Sequence, residues 1–403
     1  MNKNRIVWRK PGKYAKSFII AAILLLIGVT ITFFTETKVP AIIWPVNFFI
    51  GLSIIIVILA LFFWGKKSPF VRWMSSIPTA ISAICSFTIL VLLMAFIPQK
   101  GTETEATLYY NMFSDILHSY AYLIALIYLL LSLAMVTLKR CTPFKLSNIA
   151  FFLNHFGLWI ILFAGSLGAG DTQIVNVTVN KTNAVFSGID KTGDTISDLG
   201  LAILLKEFNI EEYAPKLFVI NDETGDVLDN KVFSLKKGKK DDILEWDIEV
   251  VEYFNYGIKM NDIFYPIFDE GASPAAYVTI TNKITKQKKS EWISCGSYRY
   301  PGKVIMLKEN KVLVMSPPEP KKYSSHIKVF TPQNGIYETT VEVNKPSKIN
   351  GWMIYQLDYN HDKGRWSDVS ILELVHDPWL PIVYLGIFML IIGSIFMFWV
   401  GNK

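Results

Sequence analysis

The chain has 403 residues, of which 51% are apolar and 14% aromatic, and its mean hydropathy is +0.33. That balance is not that of an ordinary soluble enzyme and points to a chain whose surroundings are in large part a lipid bilayer. The formal net charge of +6 is not gathered into a basic patch interleaved with aromatics, so no nucleic-acid partner is expected.

Residues 17–34, 41–64, 77–97, 120–138, 147–169 and 379–400 are apolar runs of about 20 residues, the length that crosses roughly 30 Å of hydrocarbon as a helix. Lys10, Lys13 and Lys16 precede the first run as the charged region of a signal peptide would. No small-x-small cleavage site follows, and the second run begins almost at once, so the first is read as an anchor. Cations are retained in short cytoplasmic segments. Lys3, Arg5, Arg9, Lys10, Lys13 and Lys16 therefore assign the N-terminal tail to the cytoplasm, together with the connections bearing Lys66, Lys67 and Arg72 and bearing Lys139, Arg140 and Lys145. The third connection sets Glu103, Glu105 and Asp115 against Lys100 and is expected outside.

The expected fold is an integral membrane α-helical bundle of about six spans, with a large extracytoplasmic, mostly-β domain between the last two. Its parts are residues 1–169 with five spans, 170–377 as the outer domain, and 378–403 as the last span with a short cytoplasmic tail. A bacterial inner membrane, with both termini cytoplasmic, is the expected location. Cys85 in a span, Cys141 at a cytoplasmic edge and Cys295 in the outer domain make no disulfide framework.

Within the outer domain, residues 172–179, 216–220 and 231–235 read as strands. Hairpins are expected from 276–281 with 291–294 and from 304–307 with 311–315. Further strands are expected at 326–330, 337–343 and 352–357, and the whole is read as a β-sandwich or a pair of packed sheets. Residues 316–322, rich in proline and lysine, read as an exposed loop.

Motifs for ATP hydrolysis, zinc proteolysis, serine hydrolysis and dithiol exchange are absent from the sequence, as is CxxCH. Of five histidines, His155 falls within an apolar run, about 12 Å from its cytoplasmic start at the helical rise. An imidazole there is a haem-iron ligand, or a neutral group bonded to a neighbouring helix, for instance through Asn154. Gly157, Gly165, Gly168 and Gly170 either admit close helix packing or leave room for a flat macrocycle. Phe151, Phe152, Phe156 and Trp159 either wall such a group or pack as core. His118, beside Asp115, and His376 are weaker ligand candidates that read equally as interfacial polar residues, while His326 and His361 read as solvated.

The C-terminal third carries Asn344-Lys345-Pro346, then Trp352 through Gln356 with Tyr359, then Asp377-Pro378 leading into a helix with Gly386 and Gly393. Together with the block Leu199 to Phe208 followed by Glu211 and Glu212, and with Thr137 to Arg140 and His155 to Gly165, this resembles the ResB (CcsB) family of system II cytochrome c biogenesis. The closely spaced first two spans are less typical of that family.

The resemblance implies a subunit that works with a CcsA-type membrane partner to carry haem b across the membrane and present it to apocytochrome c. His155 then matches the family's membrane histidine that ligates haem iron. The tryptophan-rich haem segment belongs to CcsA, and no WGxxW cluster occurs here. Without a dithiol, reductant is expected from a thioredoxin-like thiol reductase. The chain is expected to have no autonomous enzyme activity and to act within a holocytochrome c synthase. The alternative is a scaffold for CcsA that binds no haem itself.

Overall fold

Long stretches of Ile, Leu and Phe with few helix breakers form most of the first helices, and proline, serine and glycine set their ends. The computed structural model describes residues 11–35, 38–99, 113–191, 196–229, 231–333 and 335–400. The readings based on Lys3, Arg5, Arg9 and Lys10, on Lys100, Glu103 and Glu105, and on the tail after Val400 lie outside the described residues. Two compact units divide the chain. One comprises residues up to Thr172 and from Asp377 onward, and the other is Gln173–His376.

The first unit contains α1 (Pro11–Thr35), α2 (Val46–Gly65), α3 (Pro69–Met74), α4 (Ile77–Phe96), α5 (Tyr120–Cys141), α6 (Ile149–Gly168) and α7 (Leu380–Val400). Six of them are long and apolar enough to cross a membrane. Helix α2 starts five residues later than its apolar run because Pro45 precedes its first turn and supplies no N–H. Ser68 caps α3, accepting from Val71 N at 3.2 Å, and Ser119 caps α5, accepting from Tyr122 N at 3.2 Å.

Small and hydroxyl-bearing residues join these helices where bulky ones could not. Ser82 Oγ is 2.9 Å from the Tyr128 hydroxyl, Tyr120 N donates to Thr32 Oγ1 at 3.1 Å, and Trp73 Nε1 donates to Ser17 Oγ at 3.2 Å. Helices α6 and α7 approach closely through glycine. A Cβ on Gly157 would lie 2.7 Å from the Gly386 carbonyl oxygen, and one on Gly393 would lie 2.3 Å from Asn154 N. Asn154 Nδ2 donates to Ser394 Oγ at 2.7 Å across the same contact.

The second unit is built of β1 (Gln173–Asn180), β2 (Val185–Asp190), β3 (Ile196–Glu212), β4 (Lys216–Asn221), β5 (Phe233–Ser234) and β6 (Lys240–Ile243). It continues through β7 (Trp246–Met260), β8 (Ile263–Tyr265), β9 (Ser273–Asn282), β10 (Lys288–Ser294), β11 (Ile305–Met306) and β12 (Lys311–Met315). It ends with β13 (Pro320–Phe330), β14 (Ile336–Glu342), β15 (Ser347–Ile349), β16 (Trp352–Tyr359) and β17 (Val369–His376).

Eight strands form one sheet in the order β14-β13-β3-β2-β1-β17-β16-β15. Its two edges meet, with Thr339 Oγ1 of β14 2.8 Å from Ser347 Oγ of β15, so the sheet curls around its own core. Val177, Ile203, Leu205, Ile327, Ile354 and Leu372 fill that core. Trp352 Nε1 crosses it to the Leu199 carbonyl at 3.1 Å. A buried polar group is held within it: Ser325 Oγ donates to Ser370 Oγ at 2.7 Å, and Gln356 Nε2 donates to Ser370 Oγ at 2.9 Å.

The other nine strands make a sandwich of a five-stranded and a four-stranded sheet, closed on Leu217, Val219, Val250, Val278, Ile293 and Leu313. The sandwich expected from the sequence thus accounts for only part of the unit. The remainder is a single curled sheet that pairs strands remote in the chain, β13 with β3 and β1 with β17, which local alternation does not reveal. The 17-residue β3 and 15-residue β7 are the longest strands outside that expectation. In β3 the contiguous run Leu201 to Leu205 obscures its alternation. In β7, buried Trp246, Ile248 and Val250 alternate with acidic neighbours that are poor strand formers.

Two substitutions test this packing. Gly393→Leu is expected to lower stability by about 1–3 kcal/mol through overlap with α6, read as a fall in thermal midpoint in detergent, and an unchanged midpoint would remove the close α6–α7 contact. Gln356→Leu should cost roughly 1–3 kcal/mol by leaving the buried Ser370 hydroxyl short of a partner, and a neutral result in denaturant titration would show that the polar group adds nothing.

Candidate functional site

His155 lies six residues into α6, about 9 Å along the axis. This is slightly shallower than the sequence suggests, because residues 146–148 form a 3-10 turn ahead of the helix. Its Nδ1 is 3.1 Å from the Phe151 carbonyl oxygen. A carbonyl only accepts, so Nδ1 carries the proton and Nε2 presents a lone pair. Nε2 has no hydrogen-bond partner among the described residues. The ring stacks on Phe151 at 3.7 Å between centroids, and the Arg140 guanidinium at the end of α5 lies 4.0 Å from the Phe151 ring centre.

Of the two alternatives for this histidine, bonding to a neighbouring helix is not what the geometry shows. Asn154 makes that bond, to Ser394, whereas His155 bonds within its own helix. Gly157 leaves no room for a macrocycle, since the α7 backbone fills the space beside it. Phe152, Phe156, Trp159 and Phe163 stack successively along α6 at 5.0, 5.9 and 4.3 Å.

The first three of these rings line a wholly apolar cavity against α2 and α5, of about 160 Å³, and His155 is not part of its wall. Ligand sites for drug-sized molecules run to roughly 300–1,000 Å³, so a porphyrin does not fit there. His155 itself fits an axial ligand: one nitrogen is anchored to a carbonyl, as in most metal-bound histidines, and the other is uncommitted.

No family model matches the chain, and no curated protein matches it.

His118 is not brought to His155. His118 ends a 3-10 turn just before α5, whereas Arg140 and Phe151 mark the opposite end of that 22-residue helix, about 33 Å away at the helical rise. His118 Nδ1 donates to Asp115 Oδ1 at 2.5 Å, and Lys38 pairs with the same carboxylate. His376 closes β17 in the second unit, half-buried, with its ring 5.4 Å from that of Trp352. His326 sits 3.2 Å from Thr340 Oγ1 and His361 2.7 Å from Asp358 Oδ1, both local contacts. Among the described residues no group of three or more His, Cys, Asp or Glu side chains could hold a metal ion.

Asp171 escaped the sequence reading. Trp44 N donates to its Oδ1, while Asn47 Nδ2 and Trp379 Nε1 donate to its Oδ2, each at 2.7 Å. It thereby joins the start of α2, the end of α6 and the approach to α7. A single acidic residue at the end of an apolar run was the available signal.

Burial raises the Asp115 carboxyl, but hydrogen bonds from Lys38 and His118 outweigh it and hold the group below its ordinary value. Its contribution is therefore present above the ordinary carboxylate range, near pH 4, and is lost as pH falls through the lowered value. Thermal midpoints in detergent should fall more steeply with acid below about pH 4 for the native chain than for Asp115→Asn, and identical slopes would exclude this cluster as an acid-sensitive contact.

Proposed function

We propose that this chain is an integral membrane protein of the ResB type, the subunit of system II cytochrome c assembly that carries haem b to a CcsA-type partner for attachment to apocytochrome c. The observation that carries the reading is the state of His155, protonated on Nδ1 by its bond to Phe151 and uncommitted at Nε2. A half-buried imidazole in an apolar helix with one nitrogen unused is costly unless a ligand takes it.

Membrane insertion is supported by the outward faces of the helices. Leu26 is 66% exposed, Phe63 61% and Phe398 91%, and helices apolar on all sides occur where the surroundings are apolar as well. The basic residues Lys66, Lys67, Arg72, Lys139 and Arg140 assign the ends of α2 and α5 to the cytoplasm by the positive-inside rule. The β unit is then extracytoplasmic, the termini are cytoplasmic, and the membrane is a bacterial inner membrane.

In this reading Phe151 fixes the tautomer and the orientation of His155. Haem, when bound, supplies the vinyl groups that receive the apocytochrome thiols. Thioether formation is mainly a matter of alignment, which suits a chain without a dithiol of its own. Electrons come from a thioredoxin-like thiol reductase.

The scaffold alternative is favoured by one feature: the cavity near His155 is too small for a porphyrin. Visible spectra of the detergent-purified chain, alone and with its CcsA-type partner, separate the two. A Soret band that is lost or shifted in His155→Ala is the expected result. Equal haem in native and variant complexes would reduce this chain to a scaffold.

A further inference from the structure

The cavity between α2, α5 and α6 holds about 160 Å³, and its wall includes Ile55 and Leu59 of α2, Ala134 and Leu138 of α5, and Phe152 of α6. Ile55 and Leu59 are 36% and 39% exposed, so the cavity reaches the outer surface of the helices. It is smaller than the roughly 300–1,000 Å³ of sites that enclose a whole small molecule. An apolar cavity of about 150 Å³ stays dry and takes up small apolar groups. Beside membrane-spanning helices, the apolar group at hand is part of an acyl chain.

Leu59, Leu138 and Phe152 are the wall residues nearest the helix ends that carry cations. Arg140 follows Leu138 by about 3 Å along α5, and its guanidinium lies 4.0 Å from the centre of the Phe151 ring, next to Phe152. The Arg140 N–H groups have no hydrogen-bond partner among the described residues. Phe144, just before Lys145, meets the Phe152 ring edge-on at 6.3 Å, and Asn148 Nδ2 donates to the Arg140 carbonyl at 2.9 Å. These contacts fold the segment bearing Lys145 back against the end of α5. Lys66 follows the last turn of α2, with its Nζ 5.8 Å from the centre of the Phe62 ring.

Among the described residues, Lys66, Lys67, Arg72, Lys139, Arg140 and Lys145 pair with no carboxylate. The described acidic residues of the helical unit, Asp115, Asp171 and Asp377, all lie at the opposite ends of the helices. A partner's spans would bring further cytoplasmic cations by the positive-inside rule. The bilayer, in contrast, offers anionic headgroups at that level.

We propose that the cavity and these cations together form a site for an anionic phospholipid, with one acyl chain between α2, α5 and α6 and the phosphate at Arg140 and Lys145. Arginine matches phosphate oxygens with a fork of N–H donors, and basic pockets between spanning helices on the cytoplasmic side bind such headgroups. The inference rests on the membrane insertion and sidedness proposed above and is independent of haem.

The test mixes the full chain in detergent with equal amounts of phosphatidylglycerol and phosphatidylcholine bearing the same acyl chains, and counts retained lipid by native mass spectrometry. Phosphatidylglycerol should be retained about 5- to 30-fold more, the worth of one to two cations near an anionic lipid. Arg140→Gln with Lys145→Gln should bring the ratio close to one. Ala134→Leu fills the cavity and should lower phosphatidylglycerol retention by roughly 4-fold for each methylene it displaces. Thr137→Leu fills the same space if Ala134→Leu does not fold. Glycerophosphoglycerol, the same headgroup without acyl chains, should not displace the lipid. Equal retention of the two lipids, a preference that survives loss of both cations, undiminished retention with the cavity filled, or displacement by glycerophosphoglycerol would each overturn the proposal and leave membrane insertion intact. Release of the chain from cell membranes by alkaline carbonate would overturn both.

Discussion

The contact between the α6 and α7 backbones at Gly157, Gly386 and Gly393 constrains more of this protein than any other interaction. Helices that meet through glycine approach so closely that main-chain atoms of one occupy the place of side chains on the other. The two helices are separated in sequence by the whole β unit. Within that unit β1 and β17, the strands that directly follow α6 and precede α7, pair along eight residues from Gln173↔His376 to Asn180↔Val369. The ends of the inserted segment are thus held together inside the β unit by main-chain bonds and inside the helical unit by glycine packing and the Asp171 hydrogen bonds.

The same contact decides what His155 can do. With Gly157 and Asn154 turned to α7, the next position on the helix falls elsewhere on its circumference, on the stripe shared with Phe151 and Trp159. There the imidazole is half-buried, tied to its own helix through Nδ1 and free at Nε2. Helix packing and ligand presentation are therefore divided between adjacent residues, with Asn154 serving the first and His155 suited to the second.

In the β unit, two cores form by different means. The curled sheet tolerates a buried polar group because Ser325, Ser370 and Gln356 satisfy one another. The sandwich needs two sheets and buries polar groups of its own, with Ser273 Oγ 3.0 Å from Ser294 Oγ. Their junction is held by Arg365, which pairs with Glu212 and donates to the Asn255 carbonyl at 2.9 Å, and by Trp366, whose Nε1 donates to the Ala272 carbonyl at 3.0 Å.

Hydropathy alone determined the number of long apolar helices, because a run of about 20 apolar residues has one dominant solution in an apolar medium. It also showed that the segment between the last two is built of strands, since alternation over a few residues is a local property. The hairpins 276–294 and 304–315 were legible for the same reason: their partners are neighbours in the chain. Only the tertiary structure decided that Asn154 rather than His155 joins the helices, that Gly157 is filled by a helix about 230 residues later, that one sheet sets β3 beside β13 and β1 beside β17, and that Glu212 meets Arg365. Each of these depends on contacts between residues far apart in sequence, whose pairing is set by packing and not by local pattern.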